Sequence, residues 1–236
     1  MTNRVLLNNV DHGDLRVIAS HGQAFGDSIN QVLVFPTEFE DIQREYPIFF
    51  RRDANGEYQS VALLGLDRDE NLFLDEDGWQ ARYVPAVQQR GPFSIALQDS
   101  GAEPMIHIDL DHPRVSRTQG EPLFLPAGGN APYLQHIARV LGTIYDGLEA
   151  SKALFAALDD LRLIEPVDVE IKLNDREEYA VPDLHTISQE RLGELMGAEL
   201  ERLHRAGFLP AVYWVLSSLG NVARLIDLKT RKRAAL

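Results

Sequence analysis

The feature that most constrains this chain is a change of texture near Asn130. Before it, short apolar runs alternate with clusters of Gly, Pro and Asp, the pattern of strands joined by turns. After it, long segments carry apolar residues at helical spacing. Strands first and helices later predict an α+β fold, with an antiparallel sheet from the N-terminal half covered by helices from the C-terminal half. No repeat, low-complexity tract or linker divides the 236 residues. The reading is therefore one domain over 1–236, strand-rich over 1–129 and helix-rich over 130–236, around one shared core.

Within the first half, Gln31–Phe35 reads as a strand ended by Pro36. Thr37–Tyr46 reads as a short helix that Thr37 caps and Pro47 stops. Ile48–Arg52 and Tyr58–Leu64 form a hairpin around the polar turn Asp53–Gly56. Leu72–Leu74 and Trp79–Tyr83 flank a second tight turn, and Phe93–Leu97 and Met105–Leu110 are further strands. In the second half, Asn130 is the expected cap of a helix that runs to Asp160, with Gly147 as a candidate break. Val167–Leu173 alternates as a half-buried strand. Ser188–Ala206, with Leu192, Leu195, Met196 and Leu203 inward, and Pro210–Leu228 complete the helical set. Lys229, Arg231, Lys232 and Arg233 then complement the last helix's negative end as a solvated tail. Tyr213 and Trp214 on that helix suggest a homodimer surface through the C-terminal helices.

Charge and cysteine content exclude several functions. With 36 acidic and 23 basic side chains the formal charge is −13, a balance that repels phosphate backbones and argues against a nucleic-acid partner. The longest apolar runs, such as Val61–Leu64, are too short to predict a membrane span, and Met1–Val10 lacks a secretory pattern. Cysteine is absent, which removes disulfides, thiol catalysis and cysteine-ligated metals. A cytoplasmic location is the expectation.

Five local patterns bear on chemistry. His107-Ile108-Asp109 places a histidine and a carboxylate on one face of a strand, and His136, His185 or His204 could add the third ligand of an Fe(II) oxygenase site. Apart from that Fe(II) alternative, no cofactor is expected. Asp75-Glu76-Asp77-Gly78 has the wrong glycine position for a calcium loop and reads as a hairpin turn. Gly128-Gly129 leads into a helix without any phosphate-binding fingerprint. No nucleophile elbow surrounds a serine. The group Tyr46, Pro47, Phe49, Tyr83, Pro85, Arg90 and Phe93 combines aromatic and guanidinium side chains, which dominate binding hot spots. It suggests a groove in which Tyr46, Pro47, Tyr83, Pro85, Arg90 and Phe93 bind a ligand or partner, without catalysis.

Several ordered motifs resemble a bacterial family called SapC. They are Glu45-Tyr46-Pro47-Ile48-Phe49-Phe50, then Val61-Ala62-Leu63-Leu64-Gly65-Leu66 with Glu70-Asn71-Leu72-Phe73-Leu74-Asp75, then Trp79–Ala86 with Arg90 and Pro92-Phe93, and finally Gly120–Phe124. The resemblance extends from about Asp14 to about Leu228. One position departs from it: Gly91 stands where a second aromatic is expected before the proline. The resemblance implies an accessory protein linked to outer-membrane receptors and to flavin-dependent halogenase-like enzymes, binding a small molecule, a peptide or such an enzyme. It implies no catalytic residue, and its receptor association is the sole motive for a further alternative, haem or iron handling through a lone histidine.

Overall fold

The computed structural model describes residues 3–96, 105–174 and 177–234. The strands of the first half are β1 (Arg4–Leu6), β2 (Arg16–Val17), β3 (Gln31–Leu33), β4 (Ile48–Arg52), β5 (Tyr58–Leu63), β6 (Leu74–Asp75), β7 (Gly78–Trp79), β8 (Phe93–Ala96), β9 (Met105–Asp109), β10 (Val115–Ser116) and β11 (Glu121–Pro122). Two short helices, α1 (Phe39–Ile42) and α2 (Ala86–Gln89), lie among them. The second half contributes α3 (Pro132–Asp160), a long hairpin of β12 (Ile164–Asn174) and β13 (Glu177–Ile187), and then α4 (Gln189–Glu194), α5 (Ala198–Arg205), α6 (Phe208–Ser218) and α7 (Val222–Ala234). All recorded strand pairings are antiparallel, and the helices lie mostly in the C-terminal half, so the fold is α+β.

The largest sheet has the order β12-β13-β4-β5-β3. It joins both halves of the chain, because β13 pairs with β4 through His185 and Phe50. The sequence missed β13. Its exposed positions and an internal Pro182 hide the alternation, and Asp183 there takes a left-handed φ of 60°. Smaller sheets have the orders β1-β9-β8 and β10-β2-β11. The expected strand end at Leu97 lies outside the described residues.

Buried apolar residues form two clusters. The larger gathers Phe39, Ile48, Phe50, Leu63, Phe73, Leu158 and Val215; the smaller gathers Leu15, Val17, Phe93, Ile108, Leu123 and Ile137. α3 enters both, with Leu134, Ile137 and Leu141 in the smaller and Leu154, Phe155 and Leu158 in the larger. Its 29 residues span roughly 43 Å, and the candidate break at Gly147 does not occur. Gly147 is instead a point of close approach: a Cβ there would lie 2.4 Å from the Phe35 Cβ. Beside it, the Thr37 hydroxyl donates to the Thr143 carbonyl at 2.9 Å.

That contact explains a second difference. Thr37 does not cap α1, because its hydroxyl is committed to α3; Glu38 occupies the N-cap position. Likewise Ala131, not Asn130, precedes α3, since Asn130 forms a β-bridge with Phe124. The helix expected over Ser188–Ala206 does start at a Ser188 cap, but it divides at Leu195–Gly197, where Gly197 takes a φ of 52°. Leu195 is buried there, whereas Met196 is 77% exposed. The last helix bends through a 3-10 turn at Leu219–Asn221, where the Asn221 amide donates to the Gln43 and Tyr46 carbonyls.

The C-terminal basic cluster is not a solvated tail. Lys229 is buried, donates to Asp67 and reaches Glu70 at 2.8 Å; Lys232 and Arg233 pair with Glu70 and Glu177. The buried Glu70 carboxylate, with Asp67 at the surface beside it, draws the lysine inward. By length and composition Phe208–Ala234 is apolar enough to cross a membrane, with a mean hydropathy of 1.2 over its best window. Ala211, Val212, Val215 and Ser218 of this stretch are buried, and α6 contacts β4, β13 and α1.

Candidate functional site

The aromatic-proline residues separate into two places. Tyr46, Pro47, Pro85 and Phe93 are buried, while Tyr83 and Arg90 are partly exposed. Tyr46 is the centre of a polar hub: its hydroxyl accepts from the Trp79 indole at 2.7 Å and donates to the Tyr83 carbonyl at 2.6 Å. The Tyr83 hydroxyl in turn donates to Glu38 at 2.8 Å, and the Ala86 N–H donates to the same carboxylate oxygen at 2.9 Å. Burial raises the Glu38 pKa despite these three kinds of help, the third being the Phe35 N–H. Burial also raises both tyrosine pKa values. This hub ties segment 79–86 to α1, which is a structural use of residues that resemble a binding surface. Tyr83 also borders a polar hollow with Arg44, Glu45, Arg82 and Arg224.

Arg90 and Phe93 line a different cavity of about 230 Å³, next to the smaller core cluster. Arg4, Asp27, Ser94, Asp109, His112 and Arg114 share its walls. Arg114 and Asp27 are buried and 2.7 Å apart, and His21 contacts both. Burial opposes ionisation of Asp27, but His21, the Gly22 N–H and Arg114 together hold its pKa below the usual carboxylate range. Sequence reasoning missed this group, since Asp27 and Arg114 are 87 positions apart and belong to no spacing motif.

His107 and Asp109 lie on β9, as expected. Asp109 Oδ1 accepts the Asn3 and Asp111 N–H groups at 3.0 and 3.2 Å, the role of a turn-stabilising carboxylate. The Nδ1 of His107 is buried without a partner. Among the described residues no group of three or more His, Asp or Glu side chains is placed to hold a metal ion.

A cavity of about 620 Å³ lies between α3 and the β4–β5 hairpin. Tyr58 and Phe155 stack at 5.8 Å, and Phe50 meets Phe155 edge-on at 5.1 Å. Tyr58 and Ser60 lie two apart on β5 and so share one face. Ser60 lines the cavity, is 1% exposed, and its hydroxyl has no hydrogen-bond partner. Leu148, 47% exposed on α3, forms the opposite wall, with Arg52, Lys152 and Asp159 at the edge. Tyr58 and Phe155 were legible only as ordinary core candidates, because the cavity is made by elements about a hundred residues apart.

Comparison with known proteins gives one finding. A family model described as SapC matches residues 7–225, nearly the whole chain. No curated protein and no solved structure matches.

Proposed function

This chain belongs to the SapC family, and on that premise we propose that it is a binding or accessory protein that holds a small molecule or a partner's peptide segment between α3 and the β4–β5 hairpin. One observation carries the reading: this cavity combines an aromatic wall with a buried, unpartnered Ser60 hydroxyl. Ligand sites are concave and mostly apolar, with a few polar groups that fix orientation. A buried hydroxyl without a partner costs stability, and a ligand that bonds it recovers that cost. The partner in this reading is a flavin-dependent halogenase-like enzyme or an outer-membrane receptor system, as the family resemblance implies. The setting is the bacterial cytoplasm, with no nucleic acid involved.

Native mass spectrometry of protein purified from its own cell tests this. Wild type is expected to retain a discrete added mass. Ala156→Trp fills the cavity from exposed α3 surface and is expected to abolish it. Ser60→Ala is expected to weaken retention without loss of fold. No added mass on wild type, or equal retention by Ala156→Trp, refutes the reading.

A further inference from the structure

We propose that the cavity bounded by Arg4, Arg90 and Arg114 is a second, separate ligand site, and that it binds a small oxyanion, a carboxylate or phosphate group. The chain as a whole is strongly acidic, with a formal charge of −13. Here, by contrast, three arginines face two aspartates, and both aspartates have their own work. Asp27 is held by Arg114, His21 and the Gly22 N–H. Asp109 Oδ1 accepts two backbone N–H groups.

The arginines, in contrast, have donors to spare. Arg114 is 2% exposed, yet its Nε is buried without a hydrogen-bond partner. A guanidinium is acceptor-seeking in all five N–H directions, so a buried free one marks a place for an acceptor. Arg90 makes a single bond, to the Phe93 carbonyl at 3.3 Å, and no ion pair among the described residues. Arg4 is exposed and likewise unpaired among them. Burial and the nearby Arg4 charge both work against the Arg90 cation, a repulsion that an anion between them relieves. Guanidinium forks match the planar geometry of carboxylate and phosphate.

Two uncharged donors complete the wall. His112 accepts the Arg114 N–H on Nδ1 at 3.2 Å, which leaves its proton on Nε2 as a donor. Burial and the Arg114 charge lower its pKa, which favours the neutral ring. Ser94 supplies a hydroxyl. Gly91 keeps the roof open: its φ is 51°, and a Cβ there would lie 3.4 Å from an Arg114 Nη. This is the position at which the chain departs from the expected aromatic, and a ring on that backbone would crowd Arg114. A volume of about 230 Å³ suits a compact anion or the anionic head of a larger molecule.

Calorimetric titration of the full chain with inorganic phosphate and, separately, malonate tests the site, with sodium chloride at equal ionic strength as the control. At least one of the two is expected to bind saturably, one per chain, below about 10 mM, while chloride gives no saturable heat. Arg90→Gln is expected to weaken binding by about tenfold or more, and Arg90→Lys by less, since charge survives but the fork does not. Arg4→Gln, on exposed surface, is expected to weaken binding several-fold and serves if Arg90→Gln does not fold. Gly91→Phe is expected to block the site. Absence of saturable binding of both probes to wild type overturns the proposal, as does unchanged affinity in a folded Arg90→Gln or, failing that, in Arg4→Gln. None of these results bears on the α3–hairpin cavity, which shares no lining residue with this one.

Discussion

Replacing either of two helical glycines by alanine should have opposite effects, and the sign separates packing from propensity. Gly142 and Gly147 both lie inside α3. Alanine at either one gains about 1 kcal/mol of helix propensity. At Gly142 the added Cβ meets nothing within 4 Å, so the gain survives. At Gly147 it would lie 2.4 Å from Phe35 Cβ, 2.7 Å from its Cγ and 2.8 Å from the Thr37 hydroxyl. Carbon atoms prefer about 3.5–4.0 Å, so one side must move by roughly 1 Å. Phe35 is 2% exposed, and its Cβ is fixed to the backbone, so turning its ring does not relieve the closest contact. Overpacking of this kind costs about 3 kcal/mol, and losing the Thr37–Thr143 bond adds about 1 kcal/mol. Net of propensity, Gly147→Ala should destabilise by about 3 kcal/mol. At roughly 2–4 °C per kcal/mol for a chain of this size, that lowers Tm by about 6–12 °C, against a rise of about 2–4 °C for Gly142→Ala. Differential scanning calorimetry of both variants decides it. If Gly147→Ala melts as high as Gly142→Ala, α3 and the Phe35 segment do not touch as described.

Three more outcomes follow from the buried charges. Lys229→Met should cost about 3–5 kcal/mol in urea unfolding, because it leaves the buried Glu70 carboxylate with only the half-exposed Lys232 at 3.2 Å, whereas Lys232→Met should cost under about 1 kcal/mol. Glu38→Ala removes the acceptor of the Phe35 and Ala86 N–H groups and of the Tyr83 hydroxyl; at about 1–3 kcal/mol per buried donor it should be among the most damaging changes in the first half, visible in the urea midpoint. Burial opposes ionisation of Asp27 and Glu70, but their partners prevail and hold both pKa values below the ordinary 3.8 and 4.5; their stabilisation is therefore complete above those values and lost as pH falls through the lowered ones. Acid titration of stability should show that loss below about pH 4, and Lys229→Met should shrink it.

Much of the fold was legible because its signals are local. The hairpin β4–β5 declares itself through apolar strands around Asp53–Gly56, and α3 through a stripe from Leu134 to Leu158. What was not legible depends on partners far along the chain. Thr37 has the chemistry of a helix cap, but α3 passes close enough to take its hydroxyl. Lys229 has the position of a helix-end cation, but Glu70 lies 159 residues earlier and draws it under the surface. The same limit applies to the sites. Tyr46 and Tyr83 were grouped with Arg90 by residue type alone, yet hydrogen bonds to Trp79 and Glu38 turn them inward while Arg90 lines a cavity with Arg114. Residue type marks what a side chain can do, and topology decides which neighbour it does it with.

The two cavities stand at different stations along one helix. The arginine cavity sits beside Phe93, whose ring meets Tyr133 in the first turn of α3 at 6.4 Å. The larger cavity is walled by Leu148, Phe155 and Asp159 near the other end. From Tyr133 to Phe155 an unbroken helix rises roughly 33 Å. Substitutions more than about 10 Å apart with no shared partner combine additively within about 0.5 kcal/mol. Simple proximity therefore does not link the sites; the connections between them run along α3 and through α2, which lines the arginine cavity at Val87 and Gln88 and contacts β3, whose Leu33 lines the larger one. The Phe35–Gly147 contact fixes α3 against a residue that itself lines the larger cavity. Arg90→Gln and Ala156→Trp should accordingly act independently in the wild-type background, and a measured interaction between them would mean that the elements between the two cavities shift when either site fills.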